Sequence, residues 1–165
     1  DQFTFSRLSL VGEGANLVMA DPSGYRDFLV EYLEAAGANP VLGLKDSLIN
    51  ILLDRKGLPV FGGCTGHGCG AAFNFLTLLA NGDVHACRKF PSFLGNILNQ
   101  SLGDIYFSEA ARKYRKGPEE CRGCRLRSVC RGCLAVSFSL GLDIFSNKDP
   151  YCFLALEDFE ERRVV

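Results

Sequence analysis

Cys121-Arg122-Gly123-Cys124-Arg125-Leu126-Arg127-Ser128-Val129-Cys130-Arg131-Gly132-Cys133 puts four thiols into one short stretch, spaced Cys-x2-Cys-x5-Cys-x2-Cys. Neither a helical nor a strand period organises these residues; the thiols do. Outward from here, Cys152 follows alone. Upstream come Cys64-x4-Cys69 and then Cys69-x12-Gly82-x4-Cys87. All 8 cysteines of the 165-residue chain lie between Cys64 and Cys152, and residues 1–63 hold none. The chain thus divides into an ordinary first third and a cysteine-governed remainder.

Three chemistries compete for these thiols. Disulfides are disfavoured because Cys-x2-Cys partners do not readily bridge each other, no secretory leader is visible, and the chain is larger than most disulfide-stapled domains. Zinc would take the thiolates as two closed tetrahedral sites. Yet two Cys-x2-Cys knuckles normally stand a dozen or more residues apart, and here x5 separates Cys124 from Cys130. Two iron–sulfur cubanes suit the crowding better, since a polynuclear cluster spreads its ligands over several iron corners. Counting then constrains connectivity. Three cysteines precede the long gap and five follow it. Two clusters of four ligands each require one cysteine of the second group to cross to the first, a device two-cluster ferredoxins also use.

The surrounding residues set the frame. Gln2–Val11 alternates enough apolar residues (Phe3, Phe5, Leu8, Leu10) to predict a buried strand ended by Gly12-Glu13-Gly14. Asp21-Pro22 is a helix start, and Tyr25, Phe28, Leu29, Tyr32, Leu33 and Ala36 form one apolar stripe before Gly37. A second helix is expected over about 45–55. One strand–helix unit cannot cover both faces of a sheet, so residues 1–60 read as the end of a larger α/β layer. Phe75–Ala80 and Val84–Cys87 predict strands joined through Asn81-Gly82-Asp83. A helix is expected from Ser108, then loop through Cys133, a short strand over Leu134–Ser139 and a charged helical tail from Leu154 to Arg163.

At 47% hydrophobic residues the chain can build a core, and a net charge of −1 gives no sign of a nucleic-acid or membrane-surface binder. No apolar run reaches the roughly 18 residues of a spanning helix. Residues 112–131 are locally basic, with Arg112, Lys113, Arg115, Lys116, Arg122, Arg125, Arg127 and Arg131 against Glu119 and Glu120. Those cations either stabilise a negatively charged cluster or form a solvated loop. His67 and His85 are candidates for a ligand or a bond to a cluster sulfide; satisfied structural histidines are the commoner outcome. The Gly12-Glu13-Gly14 turn reads as a plain turn.

The pattern Cys69, Gly82, Cys87, then Cys121, Cys124, Cys130, Cys133 and Cys152 resembles the SPASM domain of radical-SAM enzymes over about residues 61–153. One departure is visible, since the family has x3 where Cys130 and Cys133 are separated by x2. The wording Phe61-Gly62-Gly63-Cys64-Thr65-Gly66, Gly70-Ala71-Ala72-Phe73-Asn74-Phe75 and Val84-His85-Ala86-Cys87-Arg88-Lys89-Phe90-Pro91-Ser92 is similar to peptide maturases, including those acting on thio- or selenopeptide precursors. The resemblance implies an α+β fold: a small cysteine-rich domain with a β-hairpin and short helices around two clusters, preceded by the last strand–helix units of a partial barrel. It divides the chain into 1–60, 61–153 and a tail at 154–165. It implies two auxiliary 4Fe-4S clusters, one on Cys64, Cys69, Cys87 and Cys133, the other on Cys121, Cys124, Cys130 and Cys152. Cys133 is then the crossover ligand.

In that family a further 4Fe-4S cluster on a Cys-x3-Cys-x2-Cys motif cleaves S-adenosylmethionine, and the resulting radical abstracts hydrogen from a peptide. No such triplet occurs here, so these residues alone are expected to be inactive. The auxiliary clusters would relay electrons. Where sulfatase-maturing relatives carry an aspartate base after the cysteine matching Cys87, this chain has Arg88, so the catalytic residue is unassigned. The expected partners are a precursor peptide, as in maturation of ribosomally made peptides (RiPP biosynthesis), and a reductant such as ferredoxin or flavodoxin, in the cytoplasm, with no nucleic acid and no membrane. A self-contained ferredoxin-like carrier and a zinc-stabilised interaction module are the alternatives.

Overall fold

The computed structural model describes residues 1–62 and 68–154. Cys64, His67 and the tail expected beyond Leu154 lie outside the described residues.

The first helix forms where the sequence predicts it. α1 spans Pro22–Ala38, with Asp21 as N-cap accepting from the Ser23 amide at 2.7 Å and Pro22 in the first turn. It buries Tyr25, Leu29 and Tyr32 and runs through Gly37 to Ala38. α2 is shorter than expected, Ile49–Arg55, and buries five successive residues from Ile49 to Leu53. It begins late because Asp46 holds the preceding turn: its side chain accepts from the Leu48 amide at 2.9 Å and its carbonyl from the Ile49 amide at 3.2 Å.

The strand expected over Gln2–Val11 is reduced to one parallel bridge, Phe3 with Leu42. Phe3 donates to the Val41 carbonyl at 2.7 Å and accepts from the Gly43 amide at 2.8 Å. This is a β–α–β crossover in miniature around α1. Beyond it the segment is held by side chains rather than by a ladder. Arg7 reaches Asp46 and Asp149, its carbonyl accepts from Lys89 Nζ at 3.0 Å, and the Leu10 amide donates to Ser139 Oγ at 2.7 Å.

The hairpin is present. β1 (Thr77–Leu78) and β2 (Asp83–His85) pair antiparallel, with Thr77 opposite His85. Gly82 turns between them at φ +86, and Asn81 Oδ1 accepts from the Asp83 amide at 3.1 Å. A third strand unread in the sequence, β3 (Phe93–Asn96), pairs antiparallel with β2. Its Gly95-Asn96 end looks like a turn, but Gly95 faces Val84 across the ladder and Asn96 Nδ2 donates to Asp83 Oδ1 at 3.0 Å. α3 (Leu102–Phe107) and α4 (Glu109–Lys116) follow, capped by Ser101 and Ser108. The Ser108 start was expected; α3 was not.

Leu134–Ser139 is a helix, α5, and not a strand. Leu134, Ala135, Val136 and Ser137 are all buried. A strand would put Leu134 and Val136 on one face; the helical turn instead sends Leu134 with Ala135 to one core and Val136 to the other. Val136 joins the core of α1, α2, Leu126, Cys130, Tyr151 and Leu154. Leu134 and Ala135 join the core of Ala71, Ala72, Val84, Phe90, Leu94, Ile105 and Ile144. Residues from 25–61 and from 124–154 therefore meet in the first core, and Cys133 borders both cores. The result is mixed helix and sheet, an α+β arrangement with a small antiparallel sheet. Among the described residues no helix is long and apolar enough to cross a membrane.

Candidate metal centre

The thiols gather into two sets. Cys69, Cys87 and Cys133 line a cavity of about 480 Å³, and Cys121, Cys124, Cys130 and Cys152 line a second, tight one of about 20 Å³. All seven described cysteines are free thiols. Their mutual electrostatics follow the same grouping: Cys133 and Cys87 act on Cys69, while Cys124 and Cys152 act on Cys121. The eighth cysteine, Cys64, lies outside the described residues.

Local backbone devices bring each thiol in. The Cys69 amide donates to the Cys130 carbonyl at 3.2 Å, stitching the first motif onto the second. A Cβ on Gly68 would collide with that same carbonyl. Cys87 sits on a loop locked by Ser92, which is 1% exposed. Ser92 Oγ accepts from the Cys87 amide at 3.0 Å and lies 3.1 Å from the Cys87 carbonyl. Arg131 and Gly132 both adopt positive φ, +67 and +66, turning the chain sharply between Cys130 and Cys133. Gly132 lines both cavities, and a Cβ there would run into Asp149.

Burial pushes the Cys69 thiol up to about 11 and, in its own surroundings, the Cys130 thiol up to about 12. Cys121 is likewise pushed up to about 11, by burial first and then by the neighbouring Cys124 and Cys152 thiols. Cys87 and Cys152 are raised, again by burial first. Burial alone raises a thiol in this way; a bound cation would supply the charge that the ionised ligands need. Amides already point at sulfur: Lys89 N to Cys87 Sγ and Gly132 N to Cys130 Sγ, both at 3.4 Å. The Cys130 thiol also lies 3.7 Å from Ser47 Oγ.

A buried ion triad braces the wall between the two cavities. Arg7 Nε donates to Asp46 Oδ2 at 2.7 Å and its Nη1 to Asp149 Oδ1 at 2.8 Å, with the three side chains 7%, 6% and 2% exposed. The guanidinium also lies 5.3 Å from the ring centroids of Tyr25 and Tyr151. Burial opposes its charge, but Asp46 and Asp149 more than offset this and hold its pKa well above the ordinary value. Asp149 Oδ2 accepts from the Cys133 amide at 2.7 Å, and Oδ1 accepts from the Tyr151 amide at 2.9 Å. Sequence reasoning missed Arg7, Asp46, Asp149 and Ser92. The triad depends on partners up to 142 positions apart, while Ser92 acts on Cys87 and His85 nearby through a loop that no local pattern marks.

The basic run is largely committed to structure. Arg115 donates to the Ala72 and Tyr106 carbonyls at 2.7 and 2.8 Å, and Arg131 Nη2 to the Cys69 carbonyl at 3.0 Å. Arg125 pairs with Asp54, and Arg122 with Glu119. His85 is structural: its Nδ1 accepts from the Ser92 amide at 2.9 Å.

The donor chemistry suits iron–sulfur clusters. The larger cavity has room for a cubane core beside Cys69, Cys87 and Cys133. The smaller cavity has the donors and is drawn in to about one water's room. Among the described residues no three His, Cys, Asp or Glu side chains converge tightly enough for a single metal ion.

Residues 69–134 match the family model of SPASM, an iron-sulfur cluster-binding domain. That stretch is a SPASM-type domain and indicates iron–sulfur cluster binding. No curated protein and no solved structure matches the chain.

Proposed function

We propose that this chain holds two 4Fe-4S clusters, one on Cys64, Cys69, Cys87 and Cys133 and the other on Cys121, Cys124, Cys130 and Cys152, as the auxiliary-cluster portion of a radical-SAM enzyme that modifies a peptide. The observation that carries this reading is the grouping of the described thiols: three line one cavity and four line another. When bound, such clusters accept and release single electrons. The chain's own residues do the rest. The thiols coordinate, the Cys87 and Cys130 sulfurs receive amide hydrogens, and apolar side chains of both cores limit access of water. Such hydrogen bonds and burial are the levers that set a cluster's potential.

Eight cysteines saturate two four-ligand clusters and leave no open iron. Electron relay is therefore favoured over ligation of a substrate sulfur. S-adenosylmethionine and a third cluster belong to a Cys-x3-Cys-x2-Cys motif elsewhere in the full-length enzyme, and a ferredoxin or flavodoxin serves as reductant.

Metal and sulfide analysis after strictly anaerobic preparation tests the reading. About eight irons and eight acid-labile sulfides per chain, with a brown absorbance, are expected. About two zincs and no sulfide would replace it with a structural zinc module. Single Cys→Ala variants test the partition. Cys69→Ala and Cys133→Ala should each leave the same residual electron-paramagnetic spectrum, and Cys152→Ala the other. A Cys133→Ala spectrum matching that of Cys152→Ala would reassign the crossover ligand.

A further inference from the structure

The larger cavity is roomier than a cluster core requires, and its wall is cationic. Arg7, Lys45, Arg88 and Lys89 line it, against Asp46 as the single carboxylate among its described lining residues. Arg7 is already taken by Asp46 and Asp149. Lys89 donates from Nζ to a neutral carbonyl, that of Arg7, at 3.0 Å. Lys45, Arg88 and Lys89 have no carboxylate within ion-pair reach among the described residues, although ion pairs form readily elsewhere in the chain. Phe5 and Phe75 supply apolar wall in the same cavity, and Phe75 is 39% exposed. Lys45, Arg88 and Lys89, none paired with a carboxylate, outnumber the negative charge a cluster on Cys69, Cys87 and Cys133 would bring, and beside two aromatic rings they suit an anionic group on an apolar stem. Ionised hydrogen bonds are about twice as strong as neutral ones, so such a site separates a carboxylate from its amide.

We propose that this cavity binds a carboxylate of the peptide substrate next to Cys69, Cys87 and Cys133, with Lys45, Arg88 and Lys89 as its partners and Phe5 and Phe75 flanking the side chain that carries it. This rests on the reading of the chain as part of a peptide-modifying enzyme. It names the substrate class, a peptide with a carboxylate close to the reacting position. Two sources share that chemistry, an acidic side chain and the C-terminal carboxylate.

The test uses the natural full-length protein, prepared anaerobically, with fluorine NMR of para-fluorohydrocinnamate as the probe and its amide as control. The carboxylate should bind and the amide should not compete. Lys45→Gln and Arg88→Gln should each weaken the carboxylate about tenfold to a hundredfold, the usual scale for one charged hydrogen bond. Displacement by capped peptides with and without one aspartate, and by an uncapped neutral peptide, then separates the two sources. Equal binding of acid and amide, no binding of either, or insensitivity to both substitutions overturns the proposal. Iron and sulfide are measured on the same samples. Full iron without carboxylate binding removes this inference and leaves the cluster reading intact, whereas carboxylate binding without iron does the reverse.

Discussion

Arg7→Met is the most informative single change. The methionine keeps much of the apolar stem and removes the cation that Asp46 and Asp149 share. Both carboxylates then stay buried, at 6% and 2% exposure, without their counter-charge. Breaking a buried pair by deleting one partner costs about 3–5 kcal/mol. The low end applies, because Asp46 keeps the Tyr25 hydroxyl and the Leu48 amide, and Asp149 keeps the Cys133 and Tyr151 amides. About 3 kcal/mol in a chain of this size lowers the melting temperature by roughly 6–12 °C. Thermal unfolding of the reduced, metal-free protein followed by circular dichroism reads this directly. Adding Asp149→Asn to Arg7→Met should recover part of the loss, since it removes one of the stranded charges. A loss under about 1 kcal/mol, or a double variant weaker than the sum of its singles, would refute the view that the triad clamps the N-terminal segment to the thiol wall.

Three further outcomes follow from the geometry. Gly132→Ala puts a Cβ against Asp149 at a φ of +66, so it should cost more than about 2 kcal/mol and lower iron content at both sites; a loss confined to one site would deny that Gly132 is their common wall. Cys69 and Cys130 hold their protons up to about 11 and about 12 in the fold, above the ordinary thiol value of 9.0. Their contribution to metal-free stability is full below about pH 9 and is lost as pH rises through those folded values. Iodoacetamide should accordingly label both more slowly in the fold than in denatured chain at about pH 8, and equal rates would contradict the burial effect. Entry of a core into the tight second cavity should change amide hydrogen exchange over residues 121–131 and in α2, whose Ile51 lines that cavity. An unchanged loop on reconstitution would mean that the cluster sits elsewhere.

Cysteine spacing carries much of this protein in plain view. Thiol chemistry needs only residue type and short separations, so the eight-cysteine set, the SPASM resemblance and the need for one crossing ligand are all readable from the chain. So are α1, with its Asp21-Pro22 start, and the Asn81-Gly82 turn, because caps and turns are decided within a few residues. Tertiary structure decided the rest. Leu134–Ser139 has the composition of a strand and becomes a helix that puts adjacent Leu134 and Ala135 in one core and Val136 in the other, where a strand would put Leu134 and Val136 on one face. Phe93–Asn96 carries no clear strand pattern and becomes one because β2 offers it an edge. The ion triad joins positions 7, 46 and 149, and a charge is tolerated there only because folding supplies its counter-charges together. Local pattern sets what a residue can donate, accept or ligate; the buried position that gives those capacities a partner exists only once distant segments close around it.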